Sequence, residues 1–131
     1  MYEKVIRHIQ PGVAKLQGLP GWFVEKWDED RADLINSTRC PKRKDGTSDN
    51  SLIDFIVAKN LISYYSSHRP EILQERIGYC YEMLARGADD PQRLHRKMDP
   101  CGYAKKTVNS VLRSLGLREL LHEDASGEYH R

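Results

Sequence analysis

Apolar residues recur at helical spacing through most of the chain. Val5, Ile6 and Ile9 form one stripe of a short amphipathic helix over Tyr2 to Gln10. Pro11 and Gly12 interrupt it, and Val13 and Leu16 extend the same face by a turn. Gly18, Leu19, Pro20 and Gly21 form a break. Pro20 stands where a helix can start, because its missing N–H would have had no partner there. The following segment, through Asn36, sets Phe23, Trp27, Asp30 and Leu34 near one side with Val24, Arg31 and Ile35 beside them. Trp22 and Trp27 are both expected as core anchors. Residues 37–50 have no hydrophobic period and many turn formers, which predicts a mobile surface loop. The Asp45–Gly46 turn within it has no strand-like flanks.

The broadest stripe follows. Leu52, Ile53, Phe55, Ile56, Ala58, Leu61, Ile62 and Tyr65 predict a central helix capped by Asp49, Asn50 or Ser51 and ended at His68, Arg69 and Pro70. Pro70 opens another helix, with Leu73, Ile77, Cys80, Tyr81 and Leu84 on one face and Gly87 expected at C′, just past its end. Asp89 and Asp90 before Pro91 predict the start of a short basic helix to Met98. Asp99, Pro100, Cys101 and Gly102 predict a turn. Tyr103 to Leu115 then restarts a helix, with Ala104, Val108, Val111, Leu112 and Leu115 inward. Lys105, Asn109 and Arg113 form an outward stripe, Lys106 and Ser110 lie beside it, and Gly116 closes the helix. The predicted fold class is therefore all-α. It is a single compact domain, residues 1–122, of five or six helices with a C-terminal helix-turn-helix-like pair, followed by a flexible tail at 123–131.

Composition narrows this picture. A chain of 131 residues suits one core, and 39% apolar with 31% charged residues is polar for a globular protein without being a disordered composition. No apolar run approaches the ~20 residues of a membrane span. The first residues lack an apolar h-region, and neither Gly at position 2 nor a C-terminal prenylation box is present, so neither export nor lipid anchoring is expected. Cys40, Cys80 and Cys101 are three widely spaced thiols, which predicts a reducing, cytoplasmic setting.

Charge is unevenly placed. Pro91 to Leu117 holds six basic residues (Arg93, Arg96, Lys97, Lys105, Lys106 and Arg113) and one acid, Asp99. That local +5 sits in a chain whose total is +2. Glu25, Asp28, Glu29, Asp30 and Asp33 make the segment after Trp22 the acidic counterweight. A concentrated positive field is how a phosphate-bearing partner is held. Ala104 to Leu117 resembles the recognition helix of the broad helix-turn-helix superfamily, with a Thr–Val pair and later leucines on its docking side. The resemblance covers roughly 25 residues, and the turn before it is longer than the usual three or four.

What the resemblance implies is a DNA-binding transcriptional regulator. Lys105, Lys106, Asn109 and Arg113 would contact bases or phosphates, and Arg93, Arg96 and Lys97 would fix register on phosphates. Lys42, Arg43 and Lys44 would add phosphate contacts from the loop. Such regulators are usually symmetric dimers, and the sequence itself leaves oligomeric state open. The alternatives are an ordinary helical hairpin made basic for solubility, or a non-enzymatic interaction module, adaptor or inhibitor, that docks a protein through its acidic and basic faces. No cofactor, metal or enzymatic activity is expected. The cysteines lack Cys-x-x-Cys spacing, the acids Glu29 and Asp33 form no complete ligand set, and neither a phosphate loop nor a nucleophile elbow occurs.

Overall fold

The computed structural model describes residues 18–93 and 96–121. Four α-helices are present among them, in the order α1 Gly21–Ile35, α2 Asn50–His68, α3 Leu73–Ala88 and α4 Pro100–Ser114, with 3-10 turns at Pro70–Ile72 and Arg118–Leu120. The chain is mostly helical, as expected, and no strand is named among the described residues. No described helix is long and apolar enough to cross a membrane. The helix expected over Tyr2 to Gln10 and the tail at 123–131 lie outside the described residues, which hold four α-helices.

Helix α1 starts from Pro20, whose carbonyl accepts from Phe23 and Val24 N–H at 3.1 and 3.2 Å. Phe23 and Trp27, one turn apart, enter the core. Trp22 does not: it is 49% exposed, because it sits about a quarter turn round from Phe23 and meets Phe23 and Tyr79 only edge-on. Helix α2 is capped by Asp49, whose carboxylate accepts from Leu52 N–H at 3.1 Å. It packs against the other three helices, which makes it central as its stripe predicted.

Helix α3 is buried nearly all round. Besides the expected Leu73, Ile77, Cys80, Tyr81 and Leu84, it buries Tyr79, Glu82, Met83, Ala85 and Ala88. Its most extensive contact is with α4. It runs through Gly87, expected at C′, and ends with Asp89 as C-cap at φ −92°. Gly87 therefore has no left-handed role.

Two expectations about the connection to α4 are overturned. Residues 91–93 and 96–99 are turns, bends and irregular chain rather than a short basic helix. The Asp90 carboxylate accepts from Gln92 N–H at 2.9 Å and its carbonyl from Arg93 N–H at 3.0 Å, a side-chain turn that competes with helix. The segment also has no apolar stripe to bury, and Met98 is 97% exposed. Lys97 N–H then reaches back to the Ala88 carbonyl at 3.2 Å, so the chain doubles onto the end of α3.

The second overturned expectation is the turn at Asp99–Gly102, which is instead the start of α4. Asp99 is the N-cap, accepting from Gly102 N–H at 3.0 Å, and Pro100 occupies the first turn, where it loses no hydrogen bond. The cap sits so close that a Cβ at residue 102 would come within 2.8 Å of Asp99 Cγ, so any larger residue there must displace the capping carboxylate. The other end of α4 behaves as expected. Gly116 at φ +74° lets Leu117 N–H reach the Leu112 carbonyl at 2.8 Å and its own N–H reach the Arg113 carbonyl at 3.1 Å, closing the helix.

Within the predicted loop at 37–50, residues 41–49 form a small hydrogen-bonded hairpin. Lys42 and Ser48 make an antiparallel bridge. Arg43 N–H donates to Thr47 O at 2.7 Å, Gly46 N–H to Arg43 O at 2.9 Å, and Asp49 N–H to Pro41 O at 2.9 Å. Asp45 Oδ1 accepts from the Thr47 N–H at 3.0 Å and its hydroxyl at 2.6 Å, which fixes the tip. Cys40 anchors the base, only 9% exposed. Turn chemistry, not strand propensity, builds this element, so the flanks gave no β signal.

Candidate functional site

The N-terminal half of α2 carries an acid inside its apolar stripe. Asp54 is 4% exposed, between the core residue Ile53 and Phe55. A buried carboxylate has to be compensated, and three segments converge on this one. Arg31 of α1 places Nε 3.5 Å from Asp54 Oδ1 and donates from Nη2 to Asn50 Oδ1 at 2.7 Å. Tyr103 of α4 donates its hydroxyl to Asp54 Oδ2 at 2.8 Å. Arg93, from the α3–α4 connection, brings Nη2 to 3.1 Å from the same oxygen, with its side chain only 6% exposed. The Arg93 guanidinium also lies 5.5 Å from the Tyr103 ring centre, and Lys97 Nζ lies 4.9 Å from it. Burial, then the neighbouring Asp54 charge and hydrogen bond, push the Tyr103 phenol above its ordinary pKa.

This junction forms the inner wall of a cleft of about 610 Å³ between α1, the start of α2, the end of α3 and the chain from Asp89 to Arg93. Arg86 joins Arg31 and Arg93 there, and Asp28 and Asp90 stand on the same lining. Trp27 and Met83, both nearly buried, supply its apolar part.

The residues expected to contact nucleic acid separate into two groups. Arg93 and Asn109 are taken into the fold. Arg93 is held against Asp54, and Asn109, expected on the solvent stripe, is 2% exposed. The reason is that α4 packs against both α3 and α2, so its buried arc is wider than its apolar stripe. Arg96 is paired with Asp89 at 3.0 Å, Lys97 lies over the Tyr103 ring, and Lys105 is half-buried and engaged by a neighbour. The outer face of α4 keeps Lys106 and Arg113 exposed. Lys42, Arg43 and Lys44 are exposed on the hairpin, with Arg39 at its base, and none of the four side chains has an ion pair or hydrogen bond among the described residues.

Sequence reasoning missed Asp54, Arg31, Tyr103 and Arg86. The available signal was the acid in an apolar run, which demands cationic partners; nothing in the sequence says which arginines supply them. No group of three or more potential metal ligands is assembled among the described residues. Comparison with protein families, characterised proteins and solved structures finds no match to this chain.

Proposed function

We propose that the protein is a small, non-enzymatic nucleic-acid-binding protein that holds double-stranded DNA by its phosphate backbone, largely independent of sequence. The observation that carries this reading is the hairpin, where Lys42, Arg43 and Lys44 stand in succession, exposed and unpaired among the described residues, on a hydrogen-bonded turn. An ordered display of this kind gives up less conformational entropy on binding than a loose loop would. Lys106 and Arg113 on α4 are the secondary contacts.

Groove reading by α4 is not part of the proposal. Asn109, the residue best suited to a bidentate contact with adenine, is 2% exposed, and the short basic helix that would cross the backbone ahead of it is replaced by turns. Backbone contacts give affinity and salt dependence with little sequence discrimination. The reading is tested by titrating a random-sequence duplex into the protein across a salt series. Steep weakening with salt and similar affinities for unrelated sequences support it, and salt-insensitive binding or none at all refutes it.

A second reading, an adaptor or inhibitor that docks a protein partner, is favoured by a different face. Glu25, Asp28, Glu29 and Asp33 are exposed along α1, next to Trp22, which is 49% exposed and carries the Arg76 guanidinium 4.9 Å from its ring.

A further inference from the structure

We propose that a second copy of this chain docks the outer face of its α1 on the basic hairpin. The contact is made twice, reciprocally, in a two-fold pair. This names a competing partner for the hairpin of the proposed function, but the pairing itself does not rest on nucleic-acid binding.

The outer face of α1 is unpartnered. Only Phe23 and Trp27 of this helix are buried. Glu25, Glu29 and Asp33, spaced by four, stand exposed along the side turned away from them. Successive carboxylates on that stripe lie about 6 Å apart along the axis, a step comparable to that between neighbouring phosphates of one nucleic-acid strand. A surface able to grip phosphates is therefore able to grip this stripe. Both basic residues of α1 are committed elsewhere. Lys26 pairs with Asp30 at 3.1 Å, and Arg31 turns to Asn50 and Asp54. Glu25, Glu29 and Asp33 make no hydrogen bond or ion pair among the described residues.

The same molecule carries the complementary surface but does not close on itself. Lys42, Arg43 and Lys44 follow shortly after α1 ends at Ile35, all exposed. The chain between is tied down: Ser37 Oγ donates to Leu34 O at 2.8 Å, Arg39 N–H donates to Ser37 Oγ at 3.1 Å, and Cys40 is buried. Asp49 N–H, donating to Pro41 O at 2.9 Å, then closes the hairpin. Opposite charges are thus neighbours in sequence, yet no ion pair joins them among the described residues. Each set is left open to another molecule. A two-fold rotation sets each acidic face on the other copy's hairpin, giving two equal contacts in a closed dimer. Exposed ion pairs are individually weak and screened by salt, so the pairing is weak and salt-sensitive. A hairpin held in this way is not open to a phosphate backbone, so dimer and nucleic acid compete for it.

The test is sedimentation velocity of the full chain at about 100 μM, without nucleic acid, in about 50 mM and about 500 mM salt. The native chain is expected to be largely dimeric at low salt and monomeric at high salt. Glu25→Lys/Glu29→Lys/Asp33→Lys and Lys42→Glu/Arg43→Glu/Lys44→Glu should each be monomeric at low salt. Mixed in equal amounts they should form a dimer again, because each then presents the charge that the other needs. All six positions are exposed, and circular dichroism checks folding. Carbodiimide coupling of the native chain needs no variant. On a mixture of unlabelled and isotope-labelled chains it should join Lys42 or Lys44 of one copy to Glu25, Glu29 or Asp33 of the other. If either variant fails to fold, the native salt series and this coupling decide. A native chain that is monomeric at low salt overturns the proposal and leaves the acidic face to a basic partner protein. A dimer that persists at high salt, a charge-swapped mixture that stays monomeric, or coupling confined to single chains overturns it too. DNA binding by a chain that stays monomeric sinks this inference alone, and a dimer that binds no DNA sinks only the nucleic-acid reading.

Discussion

Tyr103 donates its hydroxyl to Asp54 Oδ2 at 2.8 Å, joining α4 to α2 across 49 positions of sequence. The same carboxylate faces Arg31 and Arg93, so one acid holds α1, α4 and the α3–α4 connection against the start of α2. Removing the acid strands buried charge, whereas removing the phenol leaves the ion pairs in place. Asp54→Ala is therefore expected to destabilise the protein by about 3–5 kcal/mol. Tyr103→Phe should destabilise it by only about 1–2 kcal/mol. Urea denaturation of the two variants checks both size and order. Equal effects would show that the ion pairs contribute nothing beyond the hydrogen bond.

Alkaline pH acts on the same junction. Burial raises the Tyr103 phenol above its ordinary pKa, with Asp54 adding to the shift, and full burial raises the Cys80 thiol further still. Both groups are protonated in the folded and unfolded chains at neutral pH, so their contribution is fully present there. As pH climbs past the ordinary thiol value near 8.5 and then the phenol value near 10, the unfolded chain releases protons that the folded chain retains. Stability must fall through that window. Thermal melts from pH 7 to about pH 11 should show Tm falling from roughly pH 8.5 upward, and less steeply in Cys80→Ala. A flat profile would contradict the burial of these groups.

The cap of α4 makes a prediction about coupling. Asp99→Ala loses a capped N–H and should destabilise by about 1 kcal/mol. Gly102→Ala drives a methyl into the Asp99 carboxylate, so it should be destabilising even though alanine is the better helix former. Once the carboxylate is gone, alanine at 102 is harmless. The double variant should thus be more stable than the sum of the two single effects predicts. A double-mutant cycle by denaturation measures this directly, and strict additivity would sink the cap geometry.

The legible part of the fold was that written in apolar periodicity. The centre of α2, the buried face of α3 and the inward residues Ala104, Val108, Val111 and Leu112 all followed from spacing of three and four. What failed was decided by side-chain hydrogen bonds or by tertiary neighbours. Asp90 bends the predicted basic helix into turns, Asp99 turns a predicted break into a helix start, and Asp45 with Thr47 builds a hydrogen-bonded turn into a segment without hydrophobic period. Asn109 looked solvent-facing because polarity alone placed it there, yet it is buried in a helix that packs against two others. The candidate sites were legible in the same uneven way. Consecutive basic residues at 42–44 are visible in sequence, whereas a cleft assembled from α1, α3 and a connecting segment depends on the fold.

In the proposed function the hairpin tip, rather than a groove-reading helix, carries nucleic-acid binding. The most direct measurement is the salt dependence of binding to a random-sequence duplex. It compares the native protein, the hairpin variant Lys42→Ala/Arg43→Ala/Lys44→Ala, and the helix variant Lys106→Ala/Arg113→Ala. Each phosphate contact contributes about 0.9 to the slope of log affinity against log salt. The hairpin variant is therefore expected to lose about 3 units of slope and most of the affinity, and the helix variant fewer than about 2 units. A hairpin variant with native slope and affinity, or a native protein without salt-sensitive binding near about 50 mM salt, would contradict the account and turn attention to the acidic face of α1 and a protein partner.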